Sequence, residues 1–369
     1  MENMEGSRKK GKPKVGIEID IKKLDEQLQR HIDKALMLRK KKPCDDDDDK
    51  NSSIKVSSVK EKWEIDPNKL MLKSKIGQGA FGSVHRGVYD GIDVAVKLLD
   101  LGDGIQRNSL HKIFLQEVSI WNNFDHPNIV KLIGAKRGIA EVNMIQDCTK
   151  IDKPQNICFI VIEYLIGGTL KSYLIRNKIK KLPLKVVIRL ALDMARGLSY
   201  LHSLKVGHRD VKTENMLLDK EGRVKITDFG VSRVEATNLV EMTGRTGALG
   251  YMAPKVLMGN AYDHKCDVYS FGICLWEIYC CSMPYPNLAS IEETSSIIYK
   301  SSRPEIPKCC PSSVVDVMKK CWDTDPKRRP EMEEVVRMLE AIDVSKGGSM
   351  IKDDDQPQSC FCLLRRQRQ

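Results

Sequence analysis

The sequence predicts an α+β protein in which a β-rich lobe is followed by a larger helical lobe. Residues 70–165 contain short β-branched runs of alternating hydrophobicity, interrupted by one helical pattern. From Thr169 onwards, apolar residues recur at three- and four-residue steps over long segments, which is typical of helices. Two lobes of different character predict that any ligand binds between them.

The local patterns predict each element in turn. The predicted strands are Gly82–Val88, Asp93–Leu98, Ile129–Ile133 and Ile157–Glu163, with one helix among them at Leu110–Phe124. The Asp90-Gly91 pair predicts a turn after the first of these strands. The later helices are predicted at Leu184–Ser203, Asp267–Cys280, Val314–Trp322 and Glu331–Ile342.

The composition indicates a soluble globular body. Of the 369 residues, 41% are hydrophobic and 30% are charged, which excludes wholesale disorder. No run of about 18 uncharged apolar residues occurs, so a membrane-spanning helix is not expected. The 12 cysteines are scattered without a Cys-x-x-Cys pair, which predicts reduced thiols in a cytosolic or nuclear protein. A cytoplasmic location is the prediction. The net charge of +11 is spread too evenly to require nucleic acid as a partner.

The segment 1–62 is predicted to be an N-terminal tail. It has a basic start, an amphipathic helical pattern from Ile17 to Leu36, and the acidic run Asp45–Asp49, which cannot pack in a core. The helical pattern has two interpretations, a helix docked on the body and a helix that binds a partner. The sequence does not decide between them.

The segment 346–369 is predicted to be a C-terminal tail with a Cys- and Arg-rich end. Cys360 and Cys362 lie in an apolar patch beside three arginines. One interpretation is a solvated tail. The other is a peripheral membrane contact, because two acyl chains, or one chain beside a basic patch, hold a protein stably at a membrane.

A glycine-rich segment near the start of the body is a candidate phosphate-binding loop. Glycines spaced Gly-x-Gly-x-x-Gly let backbone N–H groups approach phosphate oxygens without a Cβ in the way. Dinucleotide-binding folds share this spacing, but their glycines lie between a strand and a helix. Here a second strand follows, so a hairpin is expected. The candidate nucleotide-binding residues in it are Ile76, Gly77, Gln78, Gly79, Ala80, Phe81, Gly82, Ser83 and Val84.

Lys97 ends the apolar strand Val94-Ala95-Val96, thirteen residues after Val84. In isolation such a lysine is a solvated strand end. After a glycine hairpin, however, it is positioned to hold phosphates as a point charge. A lysine at a buried edge needs a carboxylate partner, and the candidate is Glu117 in the predicted helix.

The stretch His208–Asn215, followed by Asp228-Phe229-Gly230, carries the strongest chemical signal. Transfer of a nucleotide γ-phosphoryl group needs a base near the acceptor hydroxyl and oxygen ligands for Mg²⁺. Asp210 is the candidate base, and Asn215 and Asp228 are the candidate Mg²⁺ ligands. Each residue singly is an ordinary polar loop residue, whereas the set in this order and spacing is specific.

With these motifs, residues 66–345 resemble the catalytic domain of eukaryotic protein kinases. The resemblance implies the bilobal kinase fold, with an N-lobe at about 66–165 and a C-lobe at about 166–345. It also implies ATP and Mg²⁺ as cofactors and protein hydroxyl groups as acceptors. The residues to which it assigns catalytic roles are Asp210, Lys212, Lys97 and Glu117.

The resemblance extends to the expected adenine site. Ile160–Leu165 is similar to the hinge between kinase lobes, which makes Ile162 the gatekeeper and sets the backbones of Glu163 and Leu165 against adenine. Asp267 matches the helix aspartate that holds the catalytic-loop backbone. The apolar residues that match the two faces of the adenine pocket are Val84, Ala95 and Leu217.

Within the kinases, the chain resembles the Raf-like branch, and most closely the plant Raf-like mitogen-activated kinase kinase kinases. Lys212 is typical of serine/threonine kinases, while Cys266–Ile278 resembles tyrosine kinases. This resemblance implies intracellular signalling and protein substrates. A downstream kinase is one candidate substrate, but the resemblance does not decide that the target is a kinase. The phrases that carry it are Trp63–Pro67, Gly244–Tyr251 and Tyr279–Pro286.

Two positions depart from the family pattern. Lys255 stands where the family usually has a glutamate that pairs with the arginine matched by Arg329, so two cations are expected together at a buried position. Ala248 stands where serine/threonine kinases usually have a threonine that bridges base and loop lysine. Two hypotheses follow, an active serine/threonine kinase and a weakly active or inactive nucleotide-binding scaffold.

Overall fold

The structure is a computed structural model, and it describes residues 63–345 with gaps. The gaps are 80–81, 101–110, 112–113, 116, 138–142, 145–156, 230–249, 258–262, 287–299 and 301. Both predicted tails, including the helical pattern after Ile17 and the thiols of Cys360 and Cys362, lie outside the described residues. Ala80, Phe81, Gly230 and Ala248 lie outside them too.

The predicted bilobal α+β architecture is confirmed, with an N-lobe built on one sheet and a helical C-lobe. The six strands of the N-lobe sheet have the order β4-β6-β3-β2-β1-β5, and all neighbours are antiparallel except the short β1–β5 pair. The strands are β1 (Leu70–Gly79), β2 (Gly82–Tyr89), β3 (Ile92–Asp100), β4 (Leu132–Lys136), β5 (Asn143–Met144) and β6 (Ile157–Glu163). Helix α1 lies between β3 and β4, with described helical residues 111, 114, 115 and 117–121.

The C-lobe combines helices with a small three-stranded sheet of order β7-β8-β9. Its strands are β7 (Gly168–Thr169), β8 (Met216–Leu218) and β9 (Val224–Ile226). Its helices are α2 (Leu170–Arg176), α3 (Leu184–Ser203), α4 (Pro254–Leu257), α5 (Lys265–Cys280), α6 (Ser312–Cys321) and α7 (Met332–Glu340). Helix α3 has the predicted bounds, and the ends of α5, α6 and α7 differ from prediction by at most two residues.

Helix α5 is the centre of the C-lobe. Every residue from Cys266 to Cys280 is buried, because its sequence is apolar around the whole helix and leaves no polar face for solvent. Helix α6 packs against α5, and α7 packs against the amphipathic α3. The two acidic side chains on α5, Asp267 and Glu277, therefore need hydrogen-bond partners inside the core.

The glycine segment forms the predicted hairpin. Strands β1 and β2 are antiparallel, with Gly77 opposite Val84 and Gly79 opposite Gly82. The Asp90-Gly91 turn then joins β2 to β3 with positive φ at both residues, 50° and 82°, as a two-residue hairpin turn requires. No helix follows the glycines within the described part of this region, which argues against a dinucleotide-binding fold.

The fourth strand starts later than predicted. The sequence pattern placed it at Ile129–Ile133, whereas β4 begins at Leu132. The reason is tertiary, because residues 128–130 bind the C-lobe instead. Val130 N–H donates to the Ile226 carbonyl at 2.9 Å, and Ile226 N–H donates to the Asn128 carbonyl at 2.9 Å.

The segment just before the predicted domain packs into the N-lobe. Trp63 and Ile65 are buried, and the Trp63 ring meets Phe114 of α1 edge-on at 6.4 Å. Ala135 N–H donates to the Trp63 carbonyl at 2.8 Å, and Ile65 N–H donates to the Ala135 carbonyl at 3.1 Å. These residues therefore extend the edge of the sheet at β4.

Gly134→Ala is expected to destabilise the protein by about 1–3 kcal/mol, because overpacking forces neighbouring backbone to move. A Cβ there would lie 2.3 Å from Ile65 Cγ2 and 2.6 Å from the Trp63 carbonyl oxygen. Gly207→Ala is the matched control, since the nearest atom to its Cβ would be Asp267 Oδ2 at 3.6 Å. Thermal unfolding measures both variants, and equal losses of stability would contradict this account of the sheet edge.

Candidate active site

The candidate nucleotide-binding surface is formed by β1, β2, β3 and β6. Val84, Ala95, Ile162, Leu165 and Leu217 belong to one apolar cluster, which brings the predicted adenine-pocket residues of both lobes together. Of the nine glycine-hairpin residues, all but Ala80 and Phe81 lie on the described parts of β1 and β2. The cluster provides apolar surface from both lobes next to the glycine hairpin.

Gly82 is required by packing as well as by access to a ligand. A Cβ at this position would lie 1.7 Å from the Leu98 carbonyl oxygen of β3, whereas Gly77 would make only ordinary contacts with Val84. The third glycine of the motif therefore lets β2 approach β3 closely. This fixes the hairpin over the strand that carries Lys97.

Glu163 has a structural role that the sequence reasoning missed. Its carboxylate accepts from Lys225 Nζ of β9 at 2.7 and 2.9 Å and from the Lys131 N–H at 2.8 Å. Its own N–H donates to the Lys131 carbonyl at 3.1 Å. The side chain thus joins the hinge strand to the C-lobe, while the predicted adenine contact would involve backbone atoms only.

Lys97 and Asp228 form an ion pair across the cleft, with Nζ 2.5 Å from Oδ1. Burial raises the pKa of Asp228, but the Lys97 ammonium lowers it more, so the net pKa lies below the ordinary value and the carboxylate stays ionised. Asp228 has a positive φ of 74°. The carboxylate of Glu117 is buried on α1. The Lys97–Glu117 pair stays a prediction.

The catalytic-loop candidates converge on the carboxylate of Asp210. Lys212 Nζ lies 2.6 Å from Asp210 Oδ2, and Asn215 Nδ2 donates to Oδ2 at 2.7 Å and to the Asp210 carbonyl at 2.9 Å. Burial lowers the pKa of Lys212, but the charge and hydrogen bond of Asp210, together with the charges of Asp228 and Glu214, outweigh burial, so the net pKa is raised. With its amide nitrogen bound to Asp210, Asn215 leaves its amide oxygen for another ligand.

Asp267 of α5 fixes the backbone of this loop. Its Oδ2 accepts from His208 N–H at 2.7 Å, its Oδ1 from Arg209 N–H at 2.7 Å, and His202 Nε2 lies 2.9 Å from Oδ2. Burial raises the pKa of Asp267, yet the His202 hydrogen bond and charge lower it more. Arg209 adopts a φ of 69°, an uncommon conformation that these bonds hold in place.

Phe229 connects the loop to the N-lobe. Its ring contacts Trp121 at 5.0 Å, Phe124 at 5.1 Å and His208 at 5.4 Å, all edge-on. His208 is in turn held by the Thr227 carbonyl, 3.0 Å from its Nε2. The residue beside Asp228 is therefore packed between α1 and the catalytic loop.

A buried network around Glu277 ties the catalytic loop to the segment before α4. The Thr213 hydroxyl lies 3.0 Å from both carboxylate oxygens of Glu277, and the Tyr251 hydroxyl donates to Oε2 at 2.7 Å. The sequence reasoning missed this network, since an acidic residue in an apolar helical run was its only signal. Burial raises the pKa of Glu277 to about 7.

The expectation for Lys255 is wrong in one respect, because this lysine is exposed rather than buried. Arg329 is buried, but its guanidinium donates to the carbonyls of Asp323 and Lys265, at 2.8 and 2.9 Å. The long side chain of Lys255 can reach solvent, so the two cations are not forced into one buried pair. Among the described residues, Lys255 forms no ion pair.

We predict that Glu277→Gln changes the pH dependence of stability. The folded state keeps the Glu277 proton up to pH about 7, whereas the unfolded chain releases it near 4.5. Stability therefore falls as pH rises through this window, by about 1.4 kcal/mol per unit of pKa shift at most. Thermal unfolding measured at several pH values between about 5 and about 8 should show that stability declines less steeply with pH in the variant than in the wild type. Glu333→Gln, at an exposed position, is the control and should follow the wild-type curve. A Glu277→Gln curve that is parallel to that of the wild type would contradict the argument.

The comparisons with known proteins agree with this geometry. Residues 70–339 match the family model for protein tyrosine and serine/threonine kinases. The chain is 35% identical over 286 residues to the serine/threonine/tyrosine-protein kinase HT1 of Arabidopsis thaliana, a match that covers 77% of this chain and 69% of HT1. It is 38% identical over 279 residues to a probable serine/threonine-protein kinase of Dictyostelium discoideum, covering 76% and 28% of the two chains.

A third relative is the serine/threonine-protein kinase CTR1 of Arabidopsis thaliana, 34% identical over 276 residues, or 74% of this chain and 31% of CTR1. The chain thus spans less than a third of two of these three relatives, and about two thirds of HT1. In each case the match covers about three quarters of this chain. The chain therefore belongs to the family of protein tyrosine and serine/threonine kinases, in the Raf-like branch that its motifs predict.

Proposed function

We propose that this protein transfers the γ-phosphoryl group of ATP, with Mg²⁺, to serine and threonine hydroxyls of proteins. The observation that carries the proposal is the convergence of Lys212 and Asn215 on Asp210, together with the Lys97–Asp228 ion pair that joins the two lobes. The two groups are close enough for the Asp228 charge to raise the pKa of Lys212. Phosphoryl transfer depends mainly on positioning and charge stabilisation, which such a set of fixed charges supplies.

The donor set fits a hard divalent cation. Asp228 offers an ionised carboxylate, and Asn215 offers an amide oxygen, both of which are ligand types that Mg²⁺ prefers. A metal held there would neutralise charge on the phosphate groups. In this arrangement Asp210 orients the acceptor hydroxyl and receives its proton, while Lys97 and Lys212 balance phosphate charge.

The nucleotide itself would bind at this apolar surface from both lobes. Val84, Ala95 and Leu217 supply apolar surface for an adenine ring, and the backbones of Glu163 and Leu165 lie along its edge in this proposal. The backbone of Gly77–Gly79 would then face the phosphates. Glu117, buried on α1, is the proposed carboxylate partner of Lys97 once phosphates are bound.

The scaffold hypothesis is not favoured. The relatives are named as serine/threonine kinases, and the acid, lysines and amide that the chemistry needs lie together. Lys255 is exposed, so it is not a second buried cation beside Arg329, which removes one of the two reasons for doubting turnover. Ala248, the other reason, lies outside the described residues. The bonds from Lys212 and Asn215 orient Asp210 without it.

We further propose that a downstream protein kinase is a substrate, on the basis of the Raf-like resemblance. The helices that the structure describes include none long and apolar enough to cross a membrane. Peripheral contact through acylated Cys360 and Cys362 remains a separate proposal, supported by the Cys- and Arg-rich sequence of the tail. Fractionation of cells that express the full chain or its double serine variant at these two positions would test it.

Lys97→Met and Asp210→Asn are each expected to lower phosphate transfer from radiolabelled ATP to a generic protein substrate by about 100-fold or more. The first removes the cation beside Asp228, and the second removes the base. Lys185→Met, on the exposed face of α3, is the matched control and should retain activity. Unchanged transfer by either site variant, with the fold intact, would refute the assignment.

The phosphorylated products should be phosphoserine and phosphothreonine, because Lys212 follows the serine/threonine pattern two residues after Asp210. Phosphoamino-acid analysis of a substrate mixture that offers all three hydroxyl residues distinguishes the possibilities. Predominant phosphotyrosine would show that the tyrosine-kinase-like sequence of α5, rather than Lys212, reports the specificity.

A further inference from the structure

A cavity of about 300 Å³ lies where α4 meets the start of α5 and the 3-10 turn at Pro326–Arg328. It is separate from the candidate active site, and two of its lining residues, Lys255 and Arg329, are cations. The complete lining is Ala253, Lys255, Val256, Asp263, Cys266, Pro326 and Arg329. The cavity therefore combines apolar walls with an excess of positive charge.

Arg329 is buried without a carboxylate partner among the described residues. Only 3% of its surface is exposed, and its three nitrogens donate to backbone carbonyls, those of Asp323, Lys265 and Thr324, the last at 3.4 Å. Its guanidinium also lies 5.1 Å from the centre of the Tyr269 ring. A guanidinium has five N–H donors, so these neutral contacts leave both donor capacity and a whole charge unmatched.

No carboxylate of a described residue forms an ion pair with Arg329, and the charges of Asp323 and Arg303 act on it in opposite directions. Glu331 is engaged by Lys265 Nζ at 2.7 Å and by His264 Nε2 at 2.8 Å. Asp263, the acidic residue of the lining, is exposed, and its Oδ1 accepts from the Lys265 N–H at 3.0 Å. Lys255 is exposed on the first turn of α4 and has no ion pair with a described residue. Burial lowers the pKa of Arg329, as expected for a cation without a close anion.

We propose that this cavity binds a small oxyanion of the phosphate type, held by the Arg329 guanidinium and by the Lys255 ammonium. Charge-assisted hydrogen bonds to phosphate oxygens are the strongest that these two side chains can make. The oxyanion would link α4 to α5 and to the Pro326–Arg328 turn. It thereby takes the place that a carboxylate on α4 would occupy. Two sources supply this chemistry, free phosphate and a phosphoryl group carried by the chain itself.

Thermal unfolding of the full chain tests the proposal. The protein is first treated with phosphatase, and the phosphatase is then removed. Sodium phosphate is titrated against sodium chloride at matched ionic strength. We expect a saturable rise of the melting temperature with phosphate, because a ligand that binds only the folded state stabilises it by mass action. A linear response equal to that of chloride, or no response, would overturn the proposal.

Variants at the rim locate the effect. Lys255→Glu should abolish the phosphate-dependent shift and raise the melting temperature without phosphate, since a carboxylate then reaches Arg329. Lys255→Ala, which is milder at this exposed position, should raise the half-saturating concentration several-fold. Asp263→Asn should lower it several-fold by removing the opposing charge. Lys319→Glu, an equal charge change on the exposed face of α6, should leave the shift intact.

The untreated protein distinguishes the two sources. If the chain's own phosphoryl group fills the cavity, protein that was not treated with phosphatase should start at the higher melting temperature and respond little to added phosphate. If the anion comes from solution, treated and untreated protein should respond alike. A phosphate shift that survives Lys255→Glu undiminished would place the anion elsewhere and overturn the proposal. None of these measurements depends on kinase activity.

Discussion

The position of the candidate catalytic loop depends on one buried carboxylate, Asp267. A charge within the core is costly unless hydrogen-bond donors surround it, and here two backbone N–H groups and His202 do so. Those two N–H groups belong to His208 and Arg209, the residues directly before Asp210. The hydrogen bond from the Arg209 N–H to Asp267 also holds Arg209 in a backbone conformation that would otherwise be disfavoured. The buried helix α5 therefore sets the geometry of the loop.

The site is shared between two lobes, so their relative placement matters as much as the loop. Three different kinds of interaction hold the lobes in their relative placement. They are backbone hydrogen bonds between residues 128–130 and β9, the Glu163–Lys225 ion pair at the hinge, and the aromatic contacts of Phe229. The Lys97–Asp228 pair spans the cleft itself. The first two interactions involve neither Lys97 nor Asp228, so they hold the lobes independently of that ion pair.

The Lys255 position shows how burial decides the effect of a substitution. The sequence has Lys255 where the family usually has a glutamate, which predicted repulsion between two buried cations. In the structure Arg329 is buried but Lys255 is exposed. Carbonyl groups accept its hydrogen bonds without neutralising its charge. The consequence is an electropositive cavity at the surface rather than a destabilised core. The same burial explains Glu277, whose pKa near 7 reflects desolvation among apolar neighbours on α5.

The sequence by itself determined the two lobes, the glycine hairpin, the bounds of α3 and the residue set around Asp210. Each of these depends on local periodicity, or on motifs whose chemistry needs particular residues at a fixed spacing. Only the tertiary structure decided that β4 begins at Leu132, that Glu163 binds Lys225, and that Thr213 and Tyr251 share Glu277. The side-chain contacts join residues that are far apart in the chain. The separation is 26 positions for Tyr251 and Glu277, 62 for Glu163 and Lys225, and 64 for Thr213 and Glu277. Which distant groups meet, and whether Lys255 faces core or solvent, depends on packing and desolvation that no local pattern records.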